Sequence, residues 1–197
     1  SLALDRASGC EINRCGSPIG RQDQAAAAYG GVNRFLFHLD GGVERHKIDL
    51  SREVRRVIDS VVLVDTGESR AASDILSAAD GAASSSAADL VEDGEAAVRR
   101  GDVQAVGDLL VEAWRRKRSA CLGASTPSVE NVIAAGKDAG AIGWKVCGAG
   151  GGGFVLFVVR PEDVSHFKSS ISHRILPFTV ATAGAHVVAR VPDEPRF

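Results

Sequence analysis

The stretch Lys145-Val146-Cys147-Gly148-Ala149-Gly150-Gly151-Gly152-Gly153-Phe154 decides how the rest of the chain is read. Five of these ten residues are glycine, four of them consecutive, and the apolar run Phe154-Val155-Leu156-Phe157-Val158-Val159 follows at once. Each interior glycine costs about 0.5–1 kcal/mol relative to alanine, because its backbone loses the most freedom on folding. Four in a row make a poor helix or strand, so another need has to offset that cost. Positive φ is one such need; close approach of another backbone or of a ligand is the other. Two readings follow. One is a packed or flexible turn between two strands, and the other is a set of exposed N–H groups that cradles phosphate oxygens.

Composition narrows the range of partners. At 197 residues the chain has room for one large domain or two small ones. With 45% hydrophobic and 24% charged residues it has an ordinary globular composition. Its formal net charge is −2 and no long block of like charge occurs, so neither nucleic acid nor a polybasic membrane contact is indicated. Arg52-Arg55-Arg56 and Arg115-Arg116-Lys117-Arg118 read as solvated helix faces. No apolar run approaches the ~18–20 residues that span a bilayer. No charged segment followed by an apolar one opens the chain, so no signal peptide is read and a cytoplasmic location is expected. The chain starts at Ser1 and contains no methionine, which fits a processed protein or a fragment. Cys10, Cys15, Cys121 and Cys147 lack paired metal-ligand spacing and read as free thiols of a reducing compartment. The five histidines are scattered, and no metal ligand is assigned.

Taken in order, the pattern alternates helix and strand without a steady βαβ rhythm. Residues 1–15 carry a weak helical signal, broken at Gly16-Ser17-Pro18-Ile19-Gly20, and a helix from Arg21 is stopped by Gly30-Gly31. Strands at 32–39 and 43–48 flank the hairpin signal Asp40-Gly41-Gly42. A charged helix over 50–59 and a buried strand at 61–64 follow. Residues 69–100 read as a long helix with a soft spot at 81–86. Asp102 caps a helix whose apolar stripe is Val103, Val106, Leu109, Leu110, Ala113 and Trp114. Ser125-Thr126-Pro127 caps another, with Pro127 at the first helical position, ending at Gly140. Strands at 142–147 and 154–159 bracket the glycines, and Pro161 opens a further helix. Two last strands are expected near 175–180 and 186–191, before a loose end at 193–197. The fold class is α+β with an antiparallel sheet.

Three segments together carry more information than any one alone: GSPIGRQDQAAAAYGG (residues 16–31), DTGESRAASDIL (65–76) and GWKVCGAGGGGF (143–154). In this order and spacing they resemble the GHMP kinases, namely galactokinase, homoserine kinase, mevalonate kinase and phosphomevalonate kinase. Within these the chain is most similar to the bacterial sugar kinases that act on D-glycero-D-manno-heptose 7-phosphate, which the segment around Trp114 and Lys117 also matches. The resemblance implies the remainder of an N-terminal α/β domain over residues 1–57. Over residues 58–197 it implies a ferredoxin-like C-terminal domain. It also implies ATP with Mg²⁺ as cofactors and a small sugar or sugar phosphate as partner, phosphorylated at its anomeric hydroxyl. A galactose, fucose or mevalonate-type acceptor is the related alternative. It does not indicate an oligomeric state.

By the same resemblance Gly148, Gly150, Gly151, Gly152 and Gly153 line the nucleotide cleft, and Asp23 matches the aspartate beside the acceptor hydroxyl. Phosphoryl transfer is loose, so positioning and charge neutralisation outweigh proton abstraction there. Read from the residues alone, Asp23 is equally a helix N-terminal acid. Arg21 either balances a sugar phosphate or is a solvated arginine. Thr66, Ser69 and Arg70 stand where a strand gives way to a helix, a natural anion site, with Ser69 also a candidate cap. Lys145 reads as a strand-edge lysine. Three departures stand out. Trp144 replaces a small glycine of the subgroup, Cys147 replaces a serine, and no Pro-x-x-x-Gly-Leu-Gly-Ser-Ser segment occurs before Gly16. The expectation is an amino-terminally truncated kinase with little activity by itself. The alternative is a non-catalytic binding or regulatory remnant.

Overall fold

The computed structural model describes residues 2–16, 20–68, 89–121 and 123–186. Helix α1 (Leu2–Ser8) runs into a π-helical turn (Gly9–Arg14) and is followed by α2 (Gln22–Tyr29). The hairpin β1 (Val32–Phe37) and β2 (Val43–Ile48) comes next, then α3 (Arg52–Asp59) and β3 (Val61–Asp65). Three helices follow: α4 (Leu90–Arg100), α5 (Val103–Ala120) and α6 (Pro127–Asp138). The chain then forms β4 (Gly143–Val146), β5 (Phe154–Val158), a 3-10 turn (Pro161–Asp163), α7 (Val164–Ser170) and β6 (Ile175–Leu176).

Local chemistry explains most of these boundaries. Ser51 accepts from the N–H of Val54, Asp102 from Ala105 and Thr126 from Val129, so each starts its helix as a side-chain cap. Pro127 sits in the first turn of α6, where its missing N–H leaves no bond unmade. Gly101 (φ +68) closes α4 in the left-handed conformation that glycine adopts at little steric cost. The α4 helix is the carboxyl end of the helix expected over 69–100; residues 69–88, with the soft spot, lie outside the described residues.

Two compact units result. The first comprises the described residues within Ser1–Gly16, Gly20–Lys47 and Val180–Phe197. In it Leu4 and Ala25 are buried, and the return segment is tied to α2 and the residues after it. Gly31 N–H donates to Ala181 O at 2.6 Å and Ala185 N–H to Ala27 O at 3.0 Å.

The second unit, Ile48–Thr179, is built on a four-stranded sheet in the order β4-β5-β3-β6. Each neighbouring pair is antiparallel, with Val64 opposite Val155 and Val62 opposite Phe157. Those four side chains join Val129, Val132 and Ile133 of α6, Trp114 of α5 and Phe167 of α7 in the main core. The opposite face carries Val158 and Leu156, which pack with Val57 of α3 and with Val103, Val106 and Leu110 of α5. The fold is therefore α+β with an antiparallel sheet, as the pattern implied.

One expected strand is shorter than its pattern. Residues 175–180 give only Ile175–Leu176, because Pro177 has no N–H for the ladder and ends it there. Of the expected strand at 186–191, His186 is in no strand and the rest lies outside the described residues, as does the end at 193–197.

Helices lie very close to the strands. A Cβ on Gly143 would sit 2.3 Å from the Cα of Gly107, so α5 rests on β4 backbone to backbone. A Cβ on Gly136 would fall 2.2 Å from the Phe157 ring, which itself packs against Phe167 with centroids 5.4 Å apart. Gly136→Ala is expected to destabilise by about 1–3 kcal/mol through overpacking. Gly94→Ala, in open space within α4, should stabilise by about 0.5–1 kcal/mol through helix propensity. Urea unfolding midpoints moving in opposite directions for one chemical change would bear this out; equal shifts would refute it.

Candidate functional site at the glycine turn

The glycine turn joins β4 to β5, and Cys147 N–H donates to Phe154 O at 2.9 Å where the two strands meet it. Gly148, Gly150, Gly151, Gly152 and Gly153 all have positive φ, from +62° to +155°. Both of the needs that justify glycine are present. Besides the positive φ, a Cβ on Gly150 would lie 2.7 Å from Ala124 O, and one on Gly152 2.7 Å from Glu68 O. Here the packed-turn reading and the exposed-donor reading each describe part of the loop.

Hydrogen bonds sew the turn to three other segments. The N–H and the hydroxyl of Thr66 both donate to Gly153 O at 2.9 Å, and Gly153 N–H donates to Glu68 O at 2.7 Å. Gly151 N–H donates to Ala124 O at 2.7 Å, just before α6 begins. Ser128, in the first turn of α6, donates through its hydroxyl to Thr66 O at 2.8 Å. From α5, the Lys117 ammonium donates to Gly148 O. Two of the turn's N–H groups are thus occupied internally. Among the described residues no backbone carbonyl accepts from the N–H of Gly150, which is half-buried, or of Gly152, which is buried.

The electrostatics are those of a half-buried cationic corner. Lys145 and Cys147 alternate along β4 and share a face, and Lys117 reaches the same place. Burial lowers the Lys117 pKa below the ordinary lysine value, and the charge of Lys145 lowers it further. Burial pushes the Cys147 thiol up, so it stays protonated at neutral pH despite the two ammonium groups.

Of the residues expected at a site, the structure brings together the five glycines and Thr66. The Thr66 side chain is buried and its hydroxyl bonds to the turn, so it positions the loop. Ser69 and Arg70 lie outside the described residues. Asp23 and Arg21 belong to the first unit. Asp23 is exposed in the first turn of α2. Arg21 is held by Asp5 at 3.1 Å and donates to Gly41 O at 2.6 Å. Lys117 and Ser128 were not singled out from the sequence. The spacing Trp114, Lys117, Cys121 is the signal that finds the first of them: steps of three and four put Lys117 on the buried face of α5. Among the described residues no three His, Cys, Asp or Glu side chains converge to hold a metal ion, and no described helix is long and apolar enough to cross a membrane.

Comparison with known proteins places this geometry. Residues 95–174, which include α5, α6 and the whole glycine turn, match the family model described as GHMP kinases C terminal. Over these residues the chain resembles the C-terminal domain of GHMP kinases. Its fold is similar to that of a D-glycero-D-manno-heptose 1-phosphate kinase from Bacteriodes thetaiotaomicron, at 26% identity and a TM-score of 0.70. That match covers 93% of this chain and 53% of the other. A putative sugar kinase from Campylobacter jejuni matches at 24% identity and a TM-score of 0.67, over 92% of this chain and 55% of that one. Lactococcus lactis galactokinase, solved with galactose, has the same fold at 17% identity and a TM-score of 0.63, over 92% and 59%. The chain spans about half the length of these relatives. No curated protein matches it.

Two outcomes are expected at the glycine turn. Gly148→Ala meets open space and should cost about 1–2 kcal/mol for its left-handed backbone alone. Gly150→Ala adds a clash with the Ala124 carbonyl and should lower the melting temperature further; equal effects would mean the turn does not press on Ala124. The second outcome concerns the thiol. In a Cys10→Ser, Cys15→Ser background, Cys147 should alkylate more slowly than a free peptide thiol at pH 8. Its rate should keep rising above pH 9, because the thiolate forms only past its raised pKa. A plateau below pH 8 would contradict the buried, neutral thiol.

Proposed function

We propose that the chain is part of an ATP-dependent sugar kinase, acting in the cytoplasm on the anomeric hydroxyl of a heptose phosphate or a similar sugar. The observation that carries this reading is the glycine turn, sewn to Thr66 and to the start of α6 within a GHMP kinase-like fold. Its first structural neighbour is named as a heptose phosphate kinase.

The residues present fit part of such a ligand. The half-buried N–H of Gly150, to which no described backbone carbonyl bonds, and the Lys145 ammonium near Cys147 suit phosphate oxygens. When bound, ATP would supply the phosphoryl group and Mg²⁺ would neutralise its charge; among the described residues no carboxylate cluster is placed to hold the ion. Gly148 to Gly153 bind and orient; Thr66, Ser128 and Lys117 keep the turn in shape. Asp23 orients the acceptor hydroxyl and takes its proton at a carboxylate oxygen as the new phosphorus–oxygen bond forms. Arg21, which pairs with Asp5, is the candidate that balances the charge of a sugar phosphate. These 197 residues contain no Pro-x-x-x-Gly-Leu-Gly-Ser-Ser segment, so the donors for a full triphosphate are incomplete and turnover by this chain alone is expected to be small.

A second reading has one observation behind it. Gly151 and Gly153 give their N–H groups to protein carbonyls, which suits a scaffold or binding remnant that keeps the fold without the chemistry.

Calorimetry with ATP·Mg²⁺ separates the two. On the kinase reading the chain binds, Asp23→Asn still binds, and Gly151→Val, which forces a branched side chain onto φ +72, does not. Absence of binding by the unaltered chain would sink the nucleotide reading and leave the scaffold.

A further inference from the structure

The two basic clusters visible in the sequence have opposite fates. In the second, Arg115 and Arg116 both donate to Glu112, whose carboxyl is held down at about 2 by their hydrogen bonds, and Arg116 also pairs with Asp89 at 2.6 Å. Arg118 pairs with Glu130 at 3.2 Å, so apart from the inward-turned Lys117 that cluster is a neutralised surface. The first is different. Arg52, Arg55 and Arg56 project from α3 away from its buried residues Val54 and Val57. They line a groove of about 810 Å³ together with Arg100, and an adjoining hollow adds Arg160. Among the described residues Arg52, Arg56 and Arg160 form no ion pair, and Arg100 reaches only Asp102, at 4.0 Å.

Four carboxylates share the groove, and two of them are already engaged at helix starts. Glu53 accepts from its own backbone N–H and from Ser51 at the start of α3, and Asp102 accepts from Ala105 N–H at 3.0 Å at the start of α5. Those bonds leave their charge in place, so with Asp59 and Glu162 four carboxylates stand against five guanidinium groups, of which Arg55 donates to Leu50 O at 3.2 Å.

The arginines come from three segments whose spacing is set by packing. A Cβ on Gly101, beside Arg100, would lie 3.1 Å from the Cα of Glu53, which locks the α4–α5 turn against α3. Val159 N–H donates to the carbonyl of the fully buried Ser60 at 2.9 Å, which ties the strand leading to Arg160 to the end of α3. The groove lies at the end of the sheet where Val61 faces Val158; the glycine turn lies at the other end, where Asp65 faces Phe154.

We propose that this groove is a second ligand site, separate from the glycine turn, that takes a small molecule carrying more than one phosphate group. Guanidinium forks pair bidentately with phosphate oxygens, and the three segments that carry them are held in place by packing. A monoanion would meet too few of the forks; a polyphosphate chain bridges α3, Arg100 and Arg160 at once.

Inorganic tripolyphosphate is the probe, titrated into the full chain by calorimetry and followed by NMR of the backbone amide and arginine Nε–H signals. Saturable binding that weakens with added salt is expected, with the signals of Arg56, Arg100 and Arg160 moving and those of Gly148–Gly153 still. Arg56→Gln with Arg100→Gln should weaken binding by about tenfold or more, from the loss of charged hydrogen bonds. Arg160→Gln, on a different segment, should weaken it independently. All three side chains are exposed, so the variants keep the core intact. No saturable binding, binding indifferent to these substitutions, or shifts confined to the glycine turn would each overturn the proposal.

Discussion

Backbone pressing on backbone is the constraint on which the second unit depends. At Gly107 and Gly143 a helix touches a strand with no side chain between them, and at Gly136 a helix seats directly over the Phe157 ring. The glycine turn repeats the device, with Gly150 against Ala124 and Gly152 against Glu68. A single Cβ at any of these points would have to displace a carbonyl, a main-chain carbon or an aromatic ring. Dispersion attraction falls off steeply with separation, so such close approach yields tight contacts as well as fixing positions. The ladder between β3 and β5 then continues past Asp65 into the bonds between Thr66 and Gly153.

This packing divides the turn's polar groups between architecture and chemistry. Gly151 and Gly153 give their N–H groups to the fold, among the described residues no backbone carbonyl accepts from Gly150, and Lys117 grips the carbonyl of Gly148 from outside the turn. A loop held in this way meets a ligand with little further ordering, which is the condition for binding without a large entropic penalty. The sheet carries information at both ends. One end gathers glycines and half-buried lysines; the other gathers exposed arginines around a groove.

Much of this was legible in the chain itself. Caps at Ser51, Asp102 and Thr126, the hairpin at Asp40-Gly41-Gly42 and the stop at Gly30 are local signals, each acting within one turn of the backbone. The glycine turn announced itself because its composition is costly anywhere else. Local rules failed where a residue's role was set by distant partners. Arg21 carried no local sign of its bonds to Asp5 and the Gly41 carbonyl. Lys117 looked like one of four solvated cations, although its spacing from Trp114 and Cys121 marked the buried face. Pro177 was visible all along, yet the apolar run around it suggested a longer strand than a missing donor permits.

The sequence by itself determined the α+β character, the helix starts, the hairpin and the need for positive φ at the turn, because dihedral preference, capping and periodicity all operate over a few residues. It also carried the likeness to the GHMP kinases in three short segments. Only the tertiary structure decided which N–H groups of the turn bond to carbonyls, which basic cluster is neutralised and which lines a groove. Those outcomes depend on carbonyls and carboxylates many residues away, brought near by a sheet whose order departs from that of the chain.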